Sequence, residues 1–104
     1  MKVTVLANYA PHAVKGLIKG SDREAAVKTL FESVGGKMTS MMFTRGVYDI
    51  VINAEVPDQA AGMGLALAVR ASGSLSEFVI LEELNMKAVL AAATTAAGSY
   101  KPAG

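Results

Sequence analysis

Two segments of the chain alternate between apolar and mixed side chains, and this pattern limits most strongly the folds open to it. The segments are KVTVLANY at 2–9 and VYDIVINAEV at 47–56. Alternation with a period of two, in segments rich in β-branched residues, predicts strands that bury one face. The more apolar set of each strand should face the core, which leaves the mixed set on the other face. The sequence therefore predicts a sheet that is covered on one side.

The segments around these strands complete an alternating order of strands and helices. Ser21 or Asp22 is predicted to cap one helix and Asp58 another, and helical spacing of apolar residues follows each position. Further β-rich segments occur at 37–44 and 76–84, and Pro11 begins a short extra helix. The order is β-α-β-β-α-β with an Ala-rich helix appended. This order predicts an α+β, ferredoxin-like fold, a four-stranded antiparallel-type sheet with both main helices on one face.

The face of the sheet that the helices leave uncovered is called the open face. The direction of the central strands decides which polar side chains meet on it. Right-handed crossovers predict that the first and third strands lie side by side and parallel. In that register Thr4 lies level with Asp49, and Asn8 lies level with Asn53. Buried polar groups are normally paired, so these residues either fix the register of the strands or contact a ligand. Both interpretations are open at this point.

The length and the composition predict one domain with a partner subunit. The 104 residues form a single domain, 1–104, with a core at about 2–84 and a helix and tail at 85–104. The net charge of +1 argues against a nucleic-acid partner. The mean hydropathy of +0.37 is high for so small a domain, so part of its surface should be covered by another subunit. A second identical sheet across a two-fold axis would cover the open face and form a homodimer, or part of a higher oligomer.

The sequence shows few features of membranes, metals or cofactors. No apolar run approaches the ~20 residues that a membrane span needs. Lys2 leads directly into a strand, so no signal peptide is predicted, and the absence of cysteine fits a cytoplasmic protein. One histidine and no cysteine argue against a transition-metal site. No dinucleotide fingerprint or P-loop is present, so no cofactor is predicted.

The turn before the third strand reads R-G-V-Y-D from Arg45 to Asp49, and other short motifs accompany it. They are Gly35-Gly36-Lys37, Pro57-Asp58, Ala71-Ser72-Gly73-Ser74 and Ser99-Tyr100-Lys101-Pro102. In this order and spacing, over about residues 2–102, the motifs resemble the GYD domain family. The resemblance implies a dimeric α+β barrel, similar in architecture to small monooxygenases of the antibiotic-biosynthesis type and to Dabb and EthD proteins. It implies no particular reaction, because this superfold carries both enzymes and binding modules.

The candidate site residues lie along the first strand and around the R-G-V-Y-D turn. His12 is the best general base available, although a lone histidine is more often exposed, and Asp49 and Tyr9 are the other candidate catalytic groups. Tyr48 is expected in the core or at a pocket rim, with the core favoured. Ligand contacts are predicted for the following residues: Thr4, Asn8, Asn53, Tyr48 and Arg45.

Three functions follow from these features. The first is a homodimer that binds a small organic ligand, between the sheet and the helices or at the sheet–sheet interface. The second is a cofactor-independent enzyme of monooxygenase, isomerase or lyase type that acts on a small molecule. The third is an assembly module whose C-terminal helix mediates oligomers. Ligand binding is the preferred hypothesis.

Overall fold

The elements of the chain follow the predicted order in a computed structural model that describes residues 1–103. The strands are β1 (Lys2–Tyr9), β2 (Lys37–Phe43), β3 (Ile50–Glu55) and β4 (Leu75–Glu82). The helices are α1 (Pro11–Ile18), α2 (Arg23–Ser33), α3 (Gln59–Ser72) and α4 (Met86–Ser99). All neighbouring strands are antiparallel, in the order β2-β3-β1-β4. The predicted ferredoxin-like α+β fold and its extra C-terminal helix are confirmed.

The predicted direction of the central strands was wrong. β1 and β3 lie side by side but run antiparallel, so Thr4 lies opposite Asn53 and not opposite Asp49. Asp49 comes level with the other end of β1, where its N–H donates to the carbonyl of Ala7 at 3.0 Å. The crossover rule applies to strands joined through a helix, which are β3 and β4 through α3, and β1 and β2 through α1 and α2. β3 is inserted between β1 and β2 and runs antiparallel to both.

The core lies between the sheet and the two main helices. It takes alternate residues of the two central strands, one residue after β3, and one side chain each from α2 and α3. These residues are Val3, Val5, Ala7, Ile50, Ile52, Ala54, Val56, Phe31 and Leu65. Full burial of a large apolar side chain stabilises a fold by about 1.5–3 kcal/mol. The face that the alternation predicted to be buried is therefore the one that holds the sheet against its helices.

Side-chain caps begin the two main helices at the predicted positions. The carboxylate of Asp22 accepts a hydrogen bond from the N–H of Ala25 at 3.0 Å, and α2 follows. Asp58 does the same for α3, accepting from Ala61 at 2.8 Å. α3 ends at Gly73, whose φ of 70° is the left-handed conformation that glycine adopts without strain.

The R-G-V-Y-D segment lies in a loop and not in the third strand, which begins only at Ile50. The N–H of Thr44 donates to the carbonyl of Asp49 at 2.7 Å and closes this loop. Gly46 within it has a φ of 145°, which agrees with the positive φ predicted for the turn. Tyr48 is half-buried and lies outside the core cluster, so the expectation of a core tyrosine was wrong.

The last helix, α4, extends away from the rest of the fold. None of its residues is buried, and Leu90 and Met86 are among the exposed apolar side chains. The radius of gyration is 17.7 Å, whereas a compact chain of this length has about 13 Å. Within residues 1–103, no helix combines the length and the apolar composition that crossing a bilayer would require.

Candidate functional site

A cavity of about 290 Å³ lies between the helix-covered face of the sheet and the helices α2 and α3. α2 packs against β2 and α3 against β4, which are the opposite edges of the sheet, so a gap remains between the helices. Ala26 on α2 and Ala68 on α3 both line the gap, and their small side chains leave it unfilled. The larger apolar lining residues are Val5, Val27, Leu30, Phe31, Ile50, Ile52, Leu65, Val69, Leu75 and Phe78.

The polar groups of the cavity lie together at one end. Tyr9 is the last residue of β1, Arg23 is the first of α2, and Ser72 is the last of α3. Ser74 lies just before β4, and its carbonyl accepts a hydrogen bond from the N–H of Ala10 at 2.8 Å. These residues meet because β1 ends, α2 begins and α3 ends at the same end of the sheet. The cavity is therefore apolar over most of its length and polar at one end.

Tyr9 and Arg23 determine the electrostatics of the polar end. The hydroxyl of Tyr9 is buried and has no hydrogen-bond partner among residues 1–103. Burial raises the pKa of this phenol above its ordinary value, the positive charge of Arg23 lowers it, and the negative charge of Asp49 raises it. Arg23 also lowers this pKa as a hydrogen-bonding neighbour of the phenol oxygen, although the contact falls outside full hydrogen-bond geometry. A guanidinium can only donate, so it gives the phenol O–H no acceptor. The phenol is held neutral, as a donor that still lacks an acceptor.

Two of the predicted site residues, Asp49 and Asn8, hold the 44–49 loop against β1. Asp49 Oδ2 accepts a hydrogen bond from the backbone N–H of Tyr9 at 2.9 Å. Asn8 Nδ2 donates to the carbonyl of Val47 at 2.9 Å. Neither side chain lines the cavity. Their contacts are those of residues that fix the backbone beside Tyr9.

Two other predicted residues, Thr4 and Asn53, belong to a chain of hydrogen bonds on the open face. Thr4 Oγ1 donates to Asn53 Oδ1 at 2.8 Å, and Asn53 Nδ2 donates to Ser40 Oγ at 3.0 Å. The chain links β1, β3 and β2. A second depression, of about 390 Å³, lies on this face and includes both residues in its lining. Their side chains are already hydrogen-bonded to one another. They therefore link neighbouring strands and are not side chains left free to contact a ligand.

The remaining predicted residues lie away from the cavity. His12 is exposed on α1, Arg45 is exposed in the 44–49 loop, and Tyr48 is half-buried there. Of the predicted site residues, Tyr9 alone lines the cavity in the described chain. The roles of His12 and Asp49 in catalysis therefore stay predictions. Within residues 1–103, no group of three or more histidine, aspartate and glutamate side chains is placed to hold a metal ion.

Arg23 and the two serines of the cavity were missed by the sequence reasoning. Arg23 directly follows the cap of α2, where a charged residue is usually solvated. Ser72 and Ser74 stand in the motif after α3, which was used only for the resemblance. Their positions in the sequence could have indicated them. All three residues lie at or beside the end of a helix or strand, and these ends meet at the end of β1.

The open face of the sheet carries an apolar row across all four strands. Register places its members level with one another: Met42 on β2, Val51 on β3, Leu6 on β1 and Val79 on β4. Leu81 lies on the same face and is 53% exposed, and Met42 is 59% exposed. Four level apolar side chains form a surface that is unfavourable to leave in water.

The comparisons with known proteins identify the family. The GYD domain model matches residues 4–93. The chain is also similar to the crystal structure of At3g17210 from Arabidopsis thaliana, with 19% identity and a TM-score of 0.40 over 80% of this chain and 92% of that chain. No curated protein matches it. Because the family match spans most of the sequence, the chain belongs to the GYD domain family.

Proposed function

We propose that the protein binds a small, largely apolar organic molecule in the cavity between the sheet and the helices. The observation that carries the proposal is the buried hydroxyl of Tyr9, which has no partner in residues 1–103 and belongs to a residue of a largely apolar lining. Small-molecule pockets combine an apolar lining with a few placed polar groups. A buried hydroxyl without a partner costs about 1–3 kcal/mol, and an acceptor on a ligand would remove that cost.

The volume of the cavity limits the size of the ligand. About 290 Å³ is the liquid volume of roughly ten water molecules at ~30 Å³ each. The ligand should therefore have about ten non-hydrogen atoms. Dinucleotides and other large cofactors exceed this volume several times.

Binding is better supported than catalysis by the residues at hand. Of the three candidate catalytic groups, Tyr9 reaches the cavity, whereas His12 is exposed on α1 and Asp49 accepts from a backbone N–H. A general base must lie within hydrogen-bond reach of the proton that it takes. The cavity lining contains no histidine or carboxylate in the described chain.

The proposal includes a second copy of the chain on the open face of the sheet. The apolar row at Met42, Val51, Leu6 and Val79 crosses the whole sheet, on the face opposite the core that α2 and α3 cover. An identical row, brought across a two-fold axis, would cover it with a surface of the same chemistry. The ligand cavity lies on the opposite face, so each subunit would keep its own site.

Native mass spectrometry of the purified protein tests the ligand, because it reports bound small molecules and the number of subunits together. We expect a mass increment that corresponds to a molecule of about ten non-hydrogen atoms per chain. The variant Val69→Phe, which places a larger side chain in the cavity lining, should lose this increment. Val14→Phe, the same change at an exposed position on α1, is the matched control and should keep it.

A thermal-shift screen covers the case in which the ligand is lost during purification. Small aliphatic and aromatic molecules that bind the folded chain should raise the melting temperature of the wild-type protein and of Val14→Phe. They should not raise that of Val69→Phe. The proposal is wrong if Val69→Phe retains the same ligand, or if neither experiment detects binding to the wild-type protein.

A further inference from the structure

Two of the polar residues at the end of the cavity, Tyr9 and Arg23, have donors to offer. The Tyr9 hydroxyl is buried and lacks a partner in residues 1–103. The half-buried Arg23 donates from Nη1 to Ser21 Oγ at 3.3 Å, a long hydrogen bond that uses one of its five N–H donors. A molecule that satisfies both residues must bring acceptor atoms to this end.

The sign of the local field favours an anion. Burial has the largest effect on the phenol of Tyr9 and raises its pKa. Among the charged neighbours, Arg23 lowers this pKa more than Asp49 raises it. Arg23 also lines the cavity, whereas Asp49 does not, so the charged side chain that a ligand meets beside the phenol is a cation. Asp49 contributes less, although its carboxylate accepts from the N–H of the same tyrosine.

We propose that the ligand of this cavity is a small monocarboxylate, aliphatic or aryl, whose carboxylate is held by the Tyr9 hydroxyl and the Arg23 guanidinium. The inference rests on the proposed function and specifies the class of ligand. A carboxylate has two oxygens, so it accepts from the phenol and from the guanidinium at once, in charge-assisted hydrogen bonds. One guanidinium matches one negative charge.

The rest of the ligand should be apolar, because the walls beyond the polar end are. The side chains there include Val27, Leu30, Phe31, Leu65 and Phe78. A second charged group on the ligand would be buried among them without a partner, which is strongly unfavourable. This argues for a monocarboxylate and against a dicarboxylate whose second charge lies at the far end of the chain.

Calorimetric titration with three probes of one shape tests the inference. Octanoate, octanamide and octylammonium each contain an unbranched chain of eight carbons and differ in the charge of the head group. We expect octanoate to bind the wild-type protein at least tenfold more tightly than octanamide, because its hydrogen bonds to arginine are charge-assisted. Octylammonium should bind most weakly, because it offers no acceptor and meets the positive charge of Arg23.

Three variants test which residues cause the preference for octanoate over octanamide. Arg23→Gln should reduce the affinity for octanoate to that for octanamide and leave octanamide binding within about twofold of wild type. Tyr9→Phe should weaken both probes, since both can accept from the phenol. Arg70→Gln makes the same change at an exposed arginine outside the cavity lining, and its affinities should equal those of the wild-type protein.

The outcomes separate this inference from the function on which it rests. Equal affinities of the wild-type protein for octanoate and octanamide would overturn the carboxylate inference and leave a neutral ligand as the occupant of the cavity. An Arg70→Gln effect as large as that of Arg23→Gln would overturn it too, by showing that surface charge sets the preference. If none of the three probes binds and no ligand is retained or found by thermal shift, the proposed function itself fails.

Discussion

At the scale of single residues, Asp49 illustrates how a polar side chain can resemble a catalytic group and serve the backbone. It stands in the R-G-V-Y-D motif and was a candidate acid, yet its Oδ2 accepts from the N–H of Tyr9 at 2.9 Å. This bond lies at the end of β1, where the register with β4 shifts between Asn8 and Tyr9. The carboxylate therefore helps to hold a residue that lines the cavity.

Two substitutions at this position separate the structural role from a chemical one. Asp49→Ala leaves the N–H of Tyr9 without its acceptor, and we expect the free energy of unfolding to fall by about 1–3 kcal/mol. Asp49→Asn retains a side-chain oxygen as acceptor, and the loss should be below about 1 kcal/mol. Urea denaturation measures both. Unchanged stability of Asp49→Ala, together with lost ligand binding by Asp49→Asn, would contradict the structural role and make Asp49 a functional acid.

At the scale of elements, the helices differ in how much the rest of the fold depends on them. α2 and α3 bury Phe31 and Leu65 against the sheet, whereas α4 buries nothing. All three begin at a side-chain cap of the same kind, and Asn85 Oδ1 accepts from the N–H of Ala88 at 3.1 Å to begin α4. The three helices thus have the same kind of cap but contribute differently to the stability of the fold, because packing supplies most of the stability of a helix.

Matched cap substitutions test this difference. Asp58→Ala at α3 should lower the free energy of unfolding by about 1 kcal/mol, the usual loss for an N-cap. Asn85→Ala at α4 should reduce the helical signal in circular dichroism and leave the urea transition of the body unchanged. An equal loss of stability in both variants would show that α4 packs against a surface in solution, and would favour the assembly hypothesis.

At the scale of the whole molecule, the two faces of the sheet carry different features. One face holds the core and the cavity under α2 and α3, and the other carries the apolar row and the hydrogen-bonded chain through Asn53. That chain crosses β1, β3 and β2 and helps to fix their register, which in turn places the apolar side chains level. The face proposed for a second copy is therefore separate from the face that carries the proposed ligand site.

A charge in the centre of the open face tests the proposed assembly. Val51→Lys should reduce the mass measured by light scattering to that of one chain, because an unpaired ammonium would be buried between two apolar rows. Leu67→Lys, the same charge at an exposed position on α3, is the control and should keep the wild-type mass. Removing residues 86–104 should also keep it. A Val51→Lys protein with the wild-type mass, or loss of assembly on removal of the last helix, would contradict this interface.

The sequence by itself determined the order of the elements, the buried face of each central strand and the caps at Asp22 and Asp58. These features depend on side-chain periodicity and on contacts three residues apart, which are local along the chain. The same reasoning assigned Asn53 to the face away from the helices, where it bonds to Thr4 and Ser40. It made the same assignment for Asp49, which lies instead in the loop before β3.

Only the tertiary structure decided which strands run antiparallel, and with that the pairing of Thr4 with Asn53. It also decided where the cavity lies, because the gap depends on α2 and α3 packing at opposite edges of one sheet. Tyr9, Arg23 and Ser74 are far apart in the sequence and come together only where three elements end or begin. The periodicity of the sequence does not predict this contact, because the contact depends on how whole helices and strands are placed relative to one another.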